Sequence, residues 1–200
     1  MYAMTTIVNI AITILMYADL ILLPMYLQNG RGFTAFEAGL LLLPGALINA
    51  SLSPVTGKMY DKYGAKPLFI AGMSFIVLSM WAVIDLSAST SYLYILIRTI
   101  ILRIGLAFIT MPLNTAALNA LPKALASHGS AVNNTIRQLA GAIGTAVIVT
   151  IYSIQLTKVP MGTTEGYASA ANTTYFYMLI VAIIAFILVW FVPKTKKGSN

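Results

Sequence analysis

The chain has 200 residues, of which 59% are hydrophobic and only 8% charged, where a soluble domain carries about a quarter. So little charge cannot coat a water-facing surface, which excludes a soluble globular fold and leaves a bilayer as the outside solvent. The net charge of +7 is spread singly or in small groups between apolar runs, a pattern that orients helices and meets anionic lipid head groups, and not the contiguous patch that nucleic acid requires.

Six apolar runs follow one another, each close to the length that crosses a hydrocarbon core of about 30 Å. They predict an all-α integral membrane protein, a six-transmembrane-helix bundle over residues 1–193. The first run covers about 4–27 and ends at Pro24, Tyr26 and Gln28, an aromatic and polar edge suited to the interface. It has no basic leading segment and is too long for a signal-peptide core, so it reads as a span. The second run, about 37–57, contains Pro44 and Pro54, each expected to kink it. A charged loop at 58–66 leads to the third run, about 67–86, and a small-residue turn at 87–91 to the fourth, about 92–121. That fourth run exceeds one straight crossing and is expected to tilt, to break near Pro112 or to extend beyond the bilayer. The fifth covers about 131–156 after a loop at 122–130, and a polar stretch at 157–172 precedes the sixth, about 173–192. The sixth is apolar all round from Met178 to Val192, which places it at the periphery. Residues 194–200 form a basic tail.

Six crossings put both termini on one side. With the termini in the cytoplasm, Lys58, Lys62, Lys66, Lys123, Lys194, Lys196 and Lys197 lie inside and only Arg31 and Lys158 outside, as the positive-inside rule requires. The expectation is a multi-pass protein of the cell membrane with a cytoplasmic tail.

Asp19 lies well inside the first span, with Ile12, Leu15, Leu22, Leu23 and Tyr26 at helical spacing, so its own helix offers a carboxylate little. A carboxyl group that is neutral in the membrane and ionised when hydrated is what a proton-coupled pump needs. The bland alternative is a static pair with an arginine that fixes helix packing. Arg103, near the middle of the fourth span, heads a small and polar stripe of Ala107, Thr110, Asn114 and Ala117, which makes it the candidate for a buried ion pair. It could instead reach an interface, as Arg98, on another face and nearer the outer end, is expected to do by snorkelling.

The fifth span has a parallel stripe of Asn134, Gln138, Gly141, Thr145 and Tyr152, and the second adds Asn49, Ser53 and Thr56. Asn49, Thr110, Asn114, Asn134, Gln138 and Thr145 are therefore candidates to line a hydrophilic passage; interhelical hydrogen bonding without transport would use the same residue types. Ala140 and Gly144, beside Gly141, form a small-xxx-small pair that lets helix backbones approach.

No enzyme constellation is present. The single histidine, His128, falls in an expected loop without partners at metal-ligand spacing, and the chain has no cysteine and no phosphate-binding glycine loop. Neither a metal nor a cofactor is expected, and energy for transport would have to come from an ion gradient.

The stretch Gly57-Lys58-Met59-Tyr60-Asp61-Lys62-Tyr63-Gly64-Ala65-Lys66 resembles the signature loop of the major facilitator superfamily: Gly, three residues, Asp, a basic residue, one residue, Gly, one residue, a basic residue. Gly57 and Gly64 suit a close turn, and Asp61 suits a helix N-terminus or a basic partner. Pro67 replaces the second terminal basic residue. Three further stretches, residues 22–28 (LLPMYLQ), 111–122 (MPLNTAALNALP) and 128–138 (HGSAVNNTIRQ) continuing into GAIGTA at 141–146, resemble the EmrB/QacA subfamily of drug:proton antiporters. The resemblance covers nearly the whole chain and implies two six-span bundles around a central cavity, alternating access, and export of small amphiphilic or cationic compounds driven by inward proton flow. This chain would be the C-terminal bundle, partnered by a missing N-terminal half, with only one wall of the cavity. Asp19 matches no acidic motif of that family, so its role rests on the physical argument above. The competing reading is a non-transporting six-span module acting as a structural or regulatory subunit of another membrane protein.

Overall fold

The computed structural model describes residues 2–87, 89–119, 126–159 and 162–192; the expected cytoplasmic residues Lys123, Lys194, Lys196 and Lys197 lie outside them. Among the described residues six helices make up the bundle: α1 (Tyr2–Met25), which runs on into a π-helical turn (Tyr26–Gly30), α2 (Ala35–Tyr63), α3 (Ala65–Trp81), α4 (Tyr92–Asn119), α5 (Ala126–Leu156) and α6 (Thr164–Trp190). Five are long and apolar enough to cross a membrane, and α3 is a shorter apolar helix of 17 residues. Among the described residues there is no strand.

Helix ends depart from the sequence reading where local chemistry carries the helix further. Thr34 and Glu37 form a capping box, with Glu37 N donating to Thr34 Oγ1 (3.2 Å) and Thr34 N to Glu37 Oε2 (2.8 Å), so α2 starts at Ala35. It continues to Tyr63, and the expected charged loop shrinks to Gly64, whose φ of 80° reverses the chain in one residue before α3 begins. Gly57, expected to share in that turn, is instead inside α2. Pro67 falls in the first turn of α3, where a missing N–H costs nothing. Pro112 interrupts nothing: α4 is continuous from Tyr92 to Asn119. His128 stands in α5, not in a loop. The start of α6 lies at Thr164, well before residue 173, because Thr163 Oγ1 caps Gly166 N (3.1 Å) and the small residues Gly166, Ala168, Ala170 and Ala171 are buried by packing.

α4 sits at the hub, packing against α2 on one side and α3 on the other, while α1 packs on α5, α6 and α4, and α6 also packs on α3. Small residues set the closest approaches. A Cβ built on Gly72 would lie 2.8 Å from the Gly105 carbonyl oxygen, and one on Gly105 would lie 2.8 Å from that of Gly72, so α3 and α4 touch backbone to backbone. Gly141 and Gly144 of α5 receive the side chains of Tyr17 and Ile14 of α1, with half-buried Ala140 beside that contact. α6 buries Ala171, Ala182 and Ala185 and exposes Phe176, Ile180, Ile184 and Ile187, an apolar outer face fit for lipid. One end of the bundle is tied by paired bonds between Asn172 and the backbone of Leu86 (2.8 and 2.7 Å) and by Tyr26 OH donating to Ser87 O (2.7 Å). At the other end, Lys66 Nζ donates to the terminal carbonyl of Trp190 (2.8 Å), where a cation suits a helix C-terminus.

Candidate functional site

Four helices converge on one buried carboxylate. Asp19 of α1 is fully buried, and Arg98 Nη1 of α4 approaches its Oδ1 at 2.6 Å. Tyr175 OH of α6 donates to the same oxygen (3.2 Å), and its ring lies 5.1 Å from the Arg98 guanidinium carbon. Arg98 Nε donates to Ser79 O of α3 (3.3 Å), and Ser79 Oγ donates back to Arg98 O (3.1 Å). Asp19 Oδ2 is buried with no hydrogen-bond partner, so the carboxylate keeps one oxygen uncommitted.

This corrects the expected pairing: the partner of Asp19 is Arg98, and among the described residues Arg103 makes no ion pair. The two arginines are five residues apart on α4, about 140° around a helix at 100° per residue. Arg98 shares its face with Leu102, Leu106 and Ile109, all buried toward the interior, and does not snorkel. Arg103 points into the seam with α2, where a Cβ built on Gly45 would lie 2.8 Å from its Cγ. The polar stripe of α4 does lie against neighbouring helices, with Ala107 buried and Arg103, Thr110 and Asn114 half-buried, but it is not the face that meets Asp19. In a membrane bundle the centre can be apolar, and the signal for Arg98 was the buried-type spacing of the leucines that follow it.

A second polar assembly lies toward the other end. Asn9 Nδ2 donates to Asn133 Oδ1 (3.2 Å) and Asn133 Nδ2 to Asn114 Oδ1 (3.3 Å), joining α1, α5 and α4. Asn114 was expected from the sequence; Asn133, next to the expected Asn134, and the α1 face on which buried Thr5, Asn9 and Thr13 recur every fourth residue emerge only in the structure. Asn134 is exposed and accepts from Arg137 Nη2 (3.4 Å). Gln138 is exposed and accepts from Tyr17 OH (3.1 Å). Thr145 is half-buried, Thr110 donates to Leu106 O, and Asn49 Nδ2 of α2 donates to Arg103 O (3.0 Å). In the signature segment, Asp61 and Lys62 are exposed on the last turn of α2, with Lys62 Nζ 5.1 Å from the Tyr63 ring centroid.

Residues 2–145 match the family profile described as Major Facilitator Superfamily. The chain is 42% identical over 173 residues to the MFS-type transporter YhcA of Bacillus subtilis, covering 86% of this chain and 31% of that protein. It is 36% identical over 202 residues to the MFS-type transporter YcnB of the same organism, covering 100% of this chain and 42% of that protein. To the lincomycin resistance protein LmrB of Listeria innocua it is 37% identical over 188 residues, covering 90% of this chain and 40% of that protein. The chain thus spans between 31% and 42% of the length of these relatives.

Proposed function

Since this chain belongs to the Major Facilitator Superfamily, we propose that it forms the C-terminal half of a proton-coupled exporter of small amphiphilic or cationic compounds, working by alternating access at the cell membrane with cytoplasmic termini. The partial coverage of its relatives leaves room in a full-length protein for a second bundle to complete the cavity. The similarity to LmrB, a lincomycin resistance protein, supports export of an organic compound. In this reading Asn49, Thr110, Asn114, Asn134, Gln138 and Thr145 line the cavity, and Asp61, which is exposed, meets a partner in the other half when the cytoplasmic side closes.

The observation that carries the reading is the buried Asp19–Arg98 pair with Asp19 Oδ2 left open. A proton arriving on that oxygen neutralises the carboxylate and leaves Arg98 as an uncompensated buried cation. Breaking a buried pair in this way costs about 3–5 kcal/mol, which at 1.4 kcal/mol per decade shifts a two-state equilibrium by about two to three and a half orders of magnitude. That is enough for the occupancy of one proton site to select between inward-open and outward-open forms. Release of the proton to the other side restores the pair and resets the carrier.

The test is Asp19→Asn in the full-length protein. Gradient-driven efflux should be lost while substrate binding and downhill exchange persist in a folded, membrane-inserted protein, and Asp19→Glu should retain part of the activity. Uphill pumping by Asp19→Asn with the wild-type pH dependence would make the pair a static packing element.

A further inference from the structure

The chain contains five carboxylate side chains, and four of them stand at helix ends. Glu37 is in the capping box of α2, Asp61 in its last turn, Asp85 in the α3–α4 connection and Glu165 in the first turn of α6. Only Asp19 lies at membrane depth, and it is committed to Arg98. Among the described residues, Arg103 is therefore an intramembrane cation with no carboxylate side chain to neutralise it. A charge in that position is costly and persists where it meets a cavity or a partner.

Its surroundings are arranged to present the head group. Gly45 of α2 removes the side chain that would obstruct the Arg103 stem, since a Cβ there would lie 2.8 Å from Arg103 Cγ and 3.4 Å from Thr99 Cγ2. Nε is buried in this seam without a hydrogen-bond partner, while the residue as a whole is only half-buried, so the outer guanidinium reaches the surface of the half-bundle. Asn49, one turn along α2, is fixed by its bond to Arg103 O, and its side-chain carbonyl adds no negative charge. This seam therefore offers a fork of donors, backed by an amide, opening beside a polar stripe.

We propose that Arg103 is a substrate-binding residue that takes a carboxylate or comparably anionic group of the transported compound, so the exporter favours anionic and zwitterionic amphiphiles over purely cationic ones. This rests on the exporter reading above, keeps its amphiphilic substrates and sets aside its purely cationic ones. A planar guanidinium binds a carboxylate through two parallel hydrogen bonds, which an ammonium cannot reproduce. A cationic compound would place like charges together in a low-dielectric site. The charge of Arg103 is thus satisfied by cargo once per cycle and not by the fold.

The test uses the full-length protein in inside-out membrane vesicles energised by a proton gradient, with a rhodamine free acid and its methyl ester as matched probes. The wild type should accumulate the acid, and Arg103→Gln should raise the KM for the acid about tenfold, the loss expected for one charge-assisted bond, while ester transport changes less than about twofold. Arg103→Lys, which keeps the charge but loses the fork, should fall between the two. Ester moved by the wild type without acid overturns the inference and leaves the exporter reading intact. Equal losses for both probes in Arg103→Gln also overturn it, assigning Arg103 to packing or to a carboxylate in the rest of the protein. If neither probe is moved, the predicted preference for an anionic group is overturned, while the exporter reading is decided by its own Asp19→Asn test.

Discussion

Replacing Arg98 by Gln removes the positive partner of a carboxylate that has no water to fall back on. Asp19 is 0% exposed and Arg98 1%. In the variant, Asp19 keeps only the Tyr175 hydroxyl at 3.2 Å. Loss of one member of a buried pair costs about 3–5 kcal/mol, and loss of the Tyr175 ring contact and the Ser79 bond adds about 1 kcal/mol. Asp19→Asn should fall at the lower end of that range, about 3 kcal/mol, because its amide oxygen still accepts from Tyr175 and the Arg98 cation keeps Ser79 O and the ring. With both replacements no charge is left buried, so the double variant should be more stable than the sum of the singles by at least about 2 kcal/mol. Unfolding of each variant in mixed micelles on titration with dodecyl sulfate, followed by protease susceptibility, measures the cycle. Single costs below about 1 kcal/mol that simply add in the double variant would show that the charges are solvated and uncoupled, and would remove the basis for a proton-sensitive pair.

Gly72→Leu should prevent the α3–α4 contact, because even a Cβ there lies 2.8 Å from the Gly105 carbonyl oxygen; loss of monodisperse protein in detergent checks this. Gly39→Ala is the control, since nothing lies within 4 Å of a Cβ there, and it should hold or raise stability by up to about 1 kcal/mol. Cysteines placed at Lys62 and Lys196 should be shielded from an impermeant thiol reagent in intact cells, and those at Gly32 and Thr164 labelled; the reverse pattern would overturn the proposed orientation.

Hydropathy and composition made the class of protein legible, because only a bilayer accommodates 59% hydrophobic and 8% charged residues, and a hydrocarbon core demands helices of defined length. The signature stretch around Asp61 and Gly64 and the runs at 111–122 and 128–138 made the family legible. Helix ends were less so: α2 runs on through the charged residues 58–63 to Gly64, and Thr163 with Gly166 starts α6 inside a stretch whose polarity reads as loop. Asp19 could be singled out along the chain because a lone acid amid Leu15, Leu22 and Leu23 is anomalous wherever that helix packs. The choice of Arg98 over Arg103, the arrival of Tyr175 from the far end of the chain and the Asn9–Asn133–Asn114 relay were decided by tertiary structure alone. Hydropathy is a property of each helix by itself, whereas a pairing depends on the rotation of two helices about their own axes. That rotation is set by close approaches such as the backbone of Gly72 against that of Gly105 and the Ile14 side chain against Gly144, where absent side chains let particular faces meet.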